Sequence, residues 1–228
     1  MTPETLQQLI SDRDAKRTVI VATGLKSGKQ WMIHPGEDSA ADTALYDDAV
    51  AAARADKPRT VETEDEDVFL NVFNPPLRMI IVGAVHISQV LAPMAEMAGY
   101  DVTIIDPRQA WATPERFPGI TISDVWPDEA MATLQPDHRT AIVTLTHDTK
   151  LDDPALVATL RSDAFYIGSL GSNRTHGKRL QRLHGAGFSE EETNRIHAPV
   201  GLDIGSKSPA EIAISIMAQV TETLRKSA

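Results

Sequence analysis

The sequence predicts an α/β fold: a C-terminal Rossmann-like, doubly wound parallel sheet preceded by a small N-terminal α+β domain. Two observations predict it. Short apolar runs and helical stretches alternate from Leu77 onward, as in parallel sheets that are covered on both faces. Before that point the chain has a strand–turn–strand pattern, and Asn74-Pro75-Pro76 ends it, since proline cannot continue a β-ladder. We therefore predict domains at 1–75 and 77–228.

The N-terminal domain is predicted to contain a short first helix, three strands and an alanine-rich helix. The strands are expected at 18–23, 30–34 and 68–73, with a turn at 25–29. The alanine-rich helix is expected at roughly 39–55, with Ser39 placed to cap it. The run Glu62-Thr63-Glu64-Asp65-Glu66-Asp67 is interpreted as a solvated acidic loop rather than as a partner site.

The C-terminal domain is predicted to alternate six strands with helices. The strands are expected at 78–82, 102–105, 120–123, 141–145, 164–167 and 196–200, and the helices near 86–98, 127–134, 153–161, 174–186 and 208–226. The last helix has the clearest start signal, because Ser208, Pro209 and Glu211 supply an N-cap, a first-turn proline and a capping-box glutamate. Pro93 either kinks the first of these helices or lies in the first turn of a helix that starts late.

Composition excludes several classes of site and partner. A net charge of −10 argues against nonspecific binding to nucleic acid or to an anionic membrane. No apolar run approaches the roughly 20 residues that span a bilayer, and the first residues lack a signal-peptide pattern, so we expect a cytoplasmic protein. The chain has no cysteine, which excludes disulfides, thiolate metal sites and a cysteine nucleophile. Its histidines are too scattered to predict a metal site.

Glycines and polar residues follow five of the six predicted strands, at the edge of the sheet where ligands of open parallel sheets bind. These loops are 83–86, 106–108, 146–148, 168–173 and 201–205. Their agreement predicts one shared site at this edge. Within the third of these loops, His147 and Asp148 could support general acid–base chemistry, since histidine titrates near neutral pH.

The first loop matches part of a dinucleotide-binding fingerprint. Gly83 occupies the first glycine position, but Val85 and Ser88 occupy the second and third. Asp106 ends the next strand, where an acidic residue would hold a ribose, and Arg108 could instead reach a phosphate. An NAD(P)-dependent oxidoreductase, an ordinary strand–turn segment without a ligand and a degenerate Rossmann module that binds only proteins all stay open.

The loop at 168–173 and the helix after it predict an anion site. Gly168 and Gly171 leave backbone amides accessible, and Ser172 is placed to cap the helix. The helix carries three cations at a spacing of four, Arg174, Lys178 and Arg182. They share one helix face, which suits phosphate or a pterin phosphate. The alternative is a solvated basic face that is paired with acidic neighbours.

A set of five segments follows in order along the C-terminal domain: "GAVHISQVLAPMAEMAGYDVTIIDPR", "ERFPG", "LTHDTKLDDPAL", "AFYIGSLGSNRTHGKRLQRL" and "IHAPVGLDIGSKSPAEIAISIMAQ". Together, over about residues 77–222, they resemble the Rossmann domain of the XdhC/CoxI family of xanthine dehydrogenase accessory proteins. The resemblance implies a maturation factor, a chaperone without an established turnover of its own. Such a factor binds molybdenum cofactor (molybdopterin) and helps deliver it, in sulfurated form, to the apo-enzyme of a molybdenum hydroxylase of the xanthine or carbon monoxide dehydrogenase type.

The resemblance also carries site residues over to this chain. The family's Gly-Ala-Gly-His falls on residues 83–86, with Val85 as a departure, and its Thr-His-Asp, Gly-Ser-x-x-Thr and Gly-Leu-Asp-Ile-Gly segments fall on 146–148, 171–175 and 201–205. With the loop residues above, the predicted cofactor contacts are Gly83, His86, Asp106, Arg108, His147, Asp148, Gly168, Gly171, Ser172, Arg174, Lys178 and Asp203.

The N-terminal part departs further from the family. Typical members carry Gly-Gly-Cys and Cys-Gly-Gly motifs there, whose thiols are candidate cofactor ligands, whereas this chain is short and cysteine-free. This chain cannot supply a thiolate to molybdenum. The resemblance therefore implies a divergent branch, or a separate partner such as a sulfurtransferase or a cysteine-containing paralogue. Assembly as a homodimer is left open.

Overall fold

The computed structural model describes residues 2–36 and 43–226, in two compact units. One unit ends at Pro75 and the other begins at Pro76. The first unit contains α1 (Pro3–Asp14), β1 (Val19–Gly24), β2 (Gln30–Ile33), α2 (Thr43–Ala55), β3 (Arg59–Glu62) and β4 (Asp67–Phe73). The second contains β5 (Leu77–Val82), α3 (His86–Met97), β6 (Tyr100–Ile105), β7 (Thr121–Ser123), α4 (Pro127–Leu134), β8 (Thr140–Thr144), α5 (Thr149–Thr159), β9 (Tyr166–Ser169), α6 (Asn173–Gly185), α7 (Glu190–Thr193), β10 (Ile196–His197) and α8 (Pro209–Lys226).

The first unit is a four-stranded antiparallel sheet in the order β2-β1-β4-β3, with α2 packed against it. The small side chains of Ala49 and Ala52 are buried in one apolar cluster with Ile20 and Leu70 of the sheet. This close packing explains why an alanine-rich helix suits the position. The predicted Ser39 cap lies outside the described residues.

Strand β3 is missing from the predicted strands because three of its four residues are exposed, so no apolar alternation marks it. The interpretation of 62–67 as a solvated loop is therefore wrong in part. Glu62 ends β3 and pairs with Asp67 at the start of β4. Between them, the Glu66 carboxylate accepts hydrogen bonds from the backbone N–H groups of Lys26 and Ser27 at 2.7 and 2.8 Å, which anchors the β1–β2 turn.

The second unit confirms the predicted fold class. Its six strands lie in the order β10-β9-β8-β5-β6-β7, and each neighbouring pair is parallel. Alternate residues of β5 face opposite layers: Met79 and Ile81 pack with α3 and α8, whereas Ile80 and Val82 pack with α4 and α5. A strand that is buried on both faces is apolar throughout, which is why continuous apolar runs predicted these strands.

Several element boundaries differ from the prediction, each for a local reason. Helix α5 begins at Thr149 rather than near residue 153, because the Asp148 carboxylate caps it by accepting a hydrogen bond from the Lys150 N–H at 2.9 Å. Strand β9 continues to Ser169, two residues beyond its predicted end, and β10 spans two residues. Helix α7 is an additional short turn with its own capping box.

The helices settle two points that the sequence raised. Helix α3 starts at His86, so Pro93 lies inside it and the alternative of a late start is wrong. The predicted start of α8 is confirmed: the Ser208 hydroxyl accepts a hydrogen bond from the Glu211 N–H at 3.3 Å, and the Glu211 carboxylate accepts one from the Ser208 N–H at 2.8 Å. In the described part of the chain, the helices are too short or too polar to cross a membrane.

Candidate functional site

The candidate site lies at the carboxyl edge of the parallel sheet, on the loops that follow β5, β6, β8, β9 and β10. Strand β5 lies in the middle of the sheet, with β6 on one side and β8 on the other. The chain passes to opposite sides of β5 on its way to these two strands. At such a switch point the loops diverge and leave a crevice, which is where ligands bind in this architecture.

Gly83 lets the two central loops touch. It is buried, its φ is +114°, and a Cβ atom built on it would lie 2.5 Å from Cγ2 of Thr146. Its N–H donates to the Ile105 carbonyl at 2.8 Å, and the Ser88 hydroxyl donates to its carbonyl. The loop therefore needs glycine here for its approach to a neighbouring loop. Ser88, in the position of a fingerprint glycine, closes the turn onto α3.

Asp106 and Arg108 form an ion pair at the end of β6. The carboxylate is fully buried and accepts hydrogen bonds from the Ala84 N–H at 2.8 Å, from the Arg108 N–H at 3.0 Å and from the Arg108 guanidinium at 2.8 and 2.7 Å. Burial would raise the pKa of Asp106, but the hydrogen bonds from Arg108 and Ala84 outweigh burial and lower that pKa. Both carboxylate oxygens are thus used inside the protein. This geometry disfavours the NAD(P) alternative, in which the carboxylate meets ribose hydroxyls.

Arg116 joins the first two loops, although it is not among the predicted contacts. Its guanidinium donates to the carbonyls of Ala84 and Trp111 at 2.9 and 2.5 Å and to the Gln89 side chain at 3.0 Å. The guanidinium carbons of Arg108 and Arg116 lie 5.4 and 5.5 Å from the centre of the partly exposed Trp111 ring. Arg116 lies far along the loop after β6. The segment ERFPG contains it and was the available signal.

The loop after β8 is organised by a buried carboxylate. Asp152 of α5 accepts hydrogen bonds from the Thr146 hydroxyl at 2.6 Å and from the His147 N–H at 3.1 Å. Burial raises the pKa of Asp152, and the hydrogen bonds from Thr146 oppose that shift. His147 has φ +60° and is exposed, while Asp148 caps α5. The described contacts therefore give Asp148 a structural role and leave the His147 ring facing solvent.

The loop after β9 contains one of the two predicted glycines. The prediction that Gly168 belongs to this loop is wrong: it lies in β9, it is buried, and a Cβ there would be 2.5 Å from Val200. Gly171 is in the loop with φ +140°, a conformation that favours glycine. Ser172 caps α6 as expected, since its hydroxyl accepts a hydrogen bond from the Thr175 N–H at 3.2 Å.

The cations of α6 divide between its two faces. Arg174 and Lys178 are exposed, whereas Arg182 pairs with Asp153 at 2.5 and 3.0 Å, so the paired alternative describes Arg182. On the inward face, Arg179 is 2% exposed, and its Nη2 donates to the Leu170 carbonyl at 2.8 Å. Arg179 is not among the predicted contacts, because the spacing of four selects the outer face. Its spacing of four from the buried Leu183 was the signal that could have found it.

Arg179 keeps free hydrogen-bond donors although it is buried. Its Nε and Nη1, and Nδ1 of the neighbouring His176, have no hydrogen-bond partner within the residues that the structure describes. Burial lowers the pKa of Arg179, and the negative charges of Asp152 and Asp153 oppose that shift. Burial also lowers the pKa of His176, and the charge of Arg179 lowers it further. A buried cation with free donors is a place where an anion would be stabilised.

The structure joins most of the predicted loops but not all of the predicted residues. The contacts from Gly83 to Thr146, from Ala84 to Asp106 and from His147 to Asp152 connect the loops after β5, β6 and β8. His86 lies exposed at the start of α3, beside Gln89 at 3.2 Å. Asp203 is exposed on the loop after β10, and that loop is attached to α8 through a hydrogen bond from the Gly201 N–H to Gln219 at 2.8 Å.

Histidine and carboxylate side chains do not gather into a metal site in residues 2–36 and 43–226: no group of three such side chains is placed to hold one ion. The whole sequence contains no cysteine. Any metal that reaches this edge of the sheet would therefore come with its own organic ligand.

Comparison with known proteins identifies the type of domain. The sequence model of the XdhC Rossmann domain matches residues 79–220. The chain is 37% identical over 148 residues to the molybdenum cofactor insertion chaperone PaoD of Escherichia coli (strain K12), which covers 65% of this chain and 40% of PaoD. It is 31% identical over 182 residues to a protein of Bacillus subtilis (strain 168) that is named as a probable xanthine dehydrogenase subunit, which covers 76% of this chain and 53% of the Bacillus protein. The chain thus spans about half or less of the length of these relatives.

A solved structure shares the fold. The crystal structure of a xanthine dehydrogenase from Bacillus halodurans matches with a TM-score of 0.73 and 21% sequence identity, over 99% of this chain and 65% of the other. At this identity the similarity concerns the fold alone. The functional argument depends on the sequence relatives and on the geometry of the loops.

Proposed function

The chain belongs to the family of proteins with an XdhC Rossmann domain, and we propose that it binds molybdenum cofactor and assists the maturation of a molybdenum hydroxylase of the xanthine or carbon monoxide dehydrogenase type. The observation that carries the proposal is the 37% identity, over 148 residues, to a molybdenum cofactor insertion chaperone. The aligned length is comparable to the second unit, which holds the candidate site. In this proposal the chain is an accessory protein and does not turn over a substrate.

The residues at the carboxyl edge fit one part of this cofactor, its phosphate. Gly171 and the capped start of α6 lie beside a buried arginine with free donors, and Arg174 and Lys178 are exposed on the same helix. Backbone amides at a helix start and arginine side chains are the usual partners of phosphate oxygens in proteins. When it is bound, the cofactor would supply the molybdenum centre that the hydroxylase needs. The residues of this chain would bind it and orient it.

The metal end of the cofactor finds no thiolate ligand in this chain, because cysteine is absent. We propose that any thiol chemistry, including sulfuration, is supplied by a partner, either a sulfurtransferase or a cysteine-containing paralogue. The apo-hydroxylase is the second proposed partner. The name of the relative from Bacillus subtilis, which refers to xanthine dehydrogenase, supports a client of that type. A homodimer stays an alternative arrangement of the chain.

A reconstitution assay tests this function. Apo-hydroxylase is incubated anaerobically with molybdenum cofactor, with and without the purified chain, and the recovered hydroxylase activity is measured. We expect the chain to bind the cofactor at equilibrium and to raise the yield of active enzyme. The variant Arg174→Ala, Lys178→Ala should weaken both effects.

A matched control keeps the assay specific. The variant Arg225→Ala, Lys226→Ala removes the same two charges from the far end of α8, and it should behave like the unmodified chain. Absence of cofactor binding, together with an unchanged enzyme yield, would overturn the proposal. Equal losses in the two double variants would show that net charge, rather than the candidate site, causes the effect.

A further inference from the structure

We propose that the buried guanidinium of Arg179, beneath the loop at Gly171, forms a subsite for a phosphate monoester, and that Arg179 rather than the exposed stripe of α6 decides phosphate affinity. This inference rests on the proposed function for the identity of the ligand, the terminal phosphate of a pterin cofactor. The subsite itself is argued from the contacts of Arg179, Gly171 and Thr175.

The first argument is that Arg179 is incompletely bonded. Its side chain is buried to 98%, yet hydrogen bonding in the described residues uses Nη2, which donates to the Leu170 carbonyl at 2.8 Å, and leaves Nε and Nη1 without partners. Buried polar groups in folded proteins are normally satisfied, so free donors on a buried cation mark a place for an acceptor. Arginine presents these donors as a planar fork that matches phosphate oxygens.

The second argument concerns the space above the guanidinium. A Cβ atom built on Gly171 would lie 3.0 Å from Cγ2 of Thr175 and 3.7 Å from Nη2 of Arg179. The side of Gly171 that carries no side chain therefore faces both residues. Gly171 is itself partly exposed. A ligand oxygen that approaches this side meets the arginine fork from above and the first turn of α6 from beside it.

The charges around Arg179 leave it available to an anion. Asp152, the nearest buried carboxylate, directs its oxygens to the hydroxyl and N–H of Thr146 and to the N–H of His147. Asp153 is paired with Arg182. The third neighbour, His176, is held toward its neutral form because burial and Arg179 lower its pKa, so it can accept or donate one hydrogen bond without adding charge. The local charge therefore favours a bound anion.

The third argument separates Arg179 from the exposed cations of the helix. Arg174 and Lys178 are solvated, so their attraction to a phosphate is screened by water and salt. A guanidinium away from water is screened much less. Binding that depends on Arg179 should consequently persist at moderate ionic strength, whereas binding that depends on the exposed stripe should not.

The experiment uses inorganic phosphate, titrated into the whole chain by calorimetry at low and at physiological ionic strength. The unmodified chain should bind phosphate saturably at both. Arg179→Gln should weaken binding by about tenfold or more, the usual effect of losing a charge-assisted hydrogen bond. Arg174→Gln, the matched removal of an exposed arginine on the same helix, should change affinity by less than about twofold. No phosphate binding, or a larger loss in Arg174→Gln than in Arg179→Gln, would overturn the proposal.

Two further measurements keep the result decisive. If Arg179→Gln does not fold, Arg179→Lys keeps the charge without the fork and should still lose affinity, and the Nε–H resonance of Arg179 in the unmodified chain should shift with phosphate. An unmoved resonance counts against the subsite. Competition separates this inference from the proposed function: phosphate binding through Arg179 without cofactor binding supports the subsite alone, and cofactor binding that is indifferent to Arg179→Gln and to phosphate removes it.

Discussion

The contact between the two central loops predicts a large effect of one added methyl group. Gly83 has φ +114°, where a residue with a side chain is strained by about 1–3 kcal/mol. Its Cβ would lie 2.5 Å from Cγ2 of Thr146, and such an overlap costs roughly 1–3 kcal/mol to relieve. We therefore expect Gly83→Ala to lower the free energy of unfolding of the second unit by about 2–6 kcal/mol.

A second substitution separates steric overlap from backbone strain. Thr146→Ser removes the Cγ2 methyl but keeps the hydroxyl that donates to Asp152 at 2.6 Å. Alone, it should cost less than about 1 kcal/mol, the contribution of one methyl group. Combined with Gly83→Ala, it should recover roughly 1–3 kcal/mol, because the overlap disappears while the backbone strain stays.

Urea denaturation followed by tryptophan fluorescence measures these differences. Trp31 lies in the first unit, whereas Trp111 and Trp126 lie in the second, so a Trp31→Phe background reports the second unit alone. The reasoning is refuted if Gly83→Ala stays within about 0.5 kcal/mol of this background. It is also refuted if adding Thr146→Ser brings no recovery.

Two further substitutions test contacts at the edge and in the last helix. Asp106→Asn should lower the free energy of unfolding by about 1.5–3 kcal/mol at neutral pH, because charge-assisted hydrogen bonds to Arg108 are lost. Since the pKa of Asp106 is lowered in the folded protein, its stabilisation is complete above the unfolded-state pKa of about 3.9 and is lost as pH falls through the lower folded-state pKa. Urea titrations at several pH values should show the difference narrowing in that acidic range, and a difference independent of pH would contradict the ion pair. Ser208→Ala should cost about 1 kcal/mol in the same assay through loss of the α8 cap, and unchanged stability would contradict the capping geometry.

The sequence predicted the parallel sheet well because its strands are buried on both faces. Continuous apolar runs such as 78–82 leave little ambiguity when helices separate them, and turn residues marked the edge where the loops gather. The start of α8 was equally clear, since three neighbouring residues supplied the same capping signal. In each of these cases, local preference and burial agree.

The failures occurred where tertiary contacts override local preference. Strand β3 is an edge strand with exposed charges, so its pairing with β4 is not visible in its own composition. Gly168 looks like a loop residue but packs inside β9 against Val200, where a larger residue would not fit. On α6, a regular spacing of cations selected the solvated face, while Arg179 on the inward face belongs to no charge pattern.

Occupancy by molybdenum cofactor is the central claim, and native mass spectrometry of the purified chain tests it most directly. The chain is prepared in parallel from cells that synthesise molybdenum cofactor and from cells that do not. We predict a species that carries the added mass of the pterin cofactor in the first preparation and its absence in the second. The bare chain in both preparations, or the added mass of a nicotinamide dinucleotide, would contradict the proposed function.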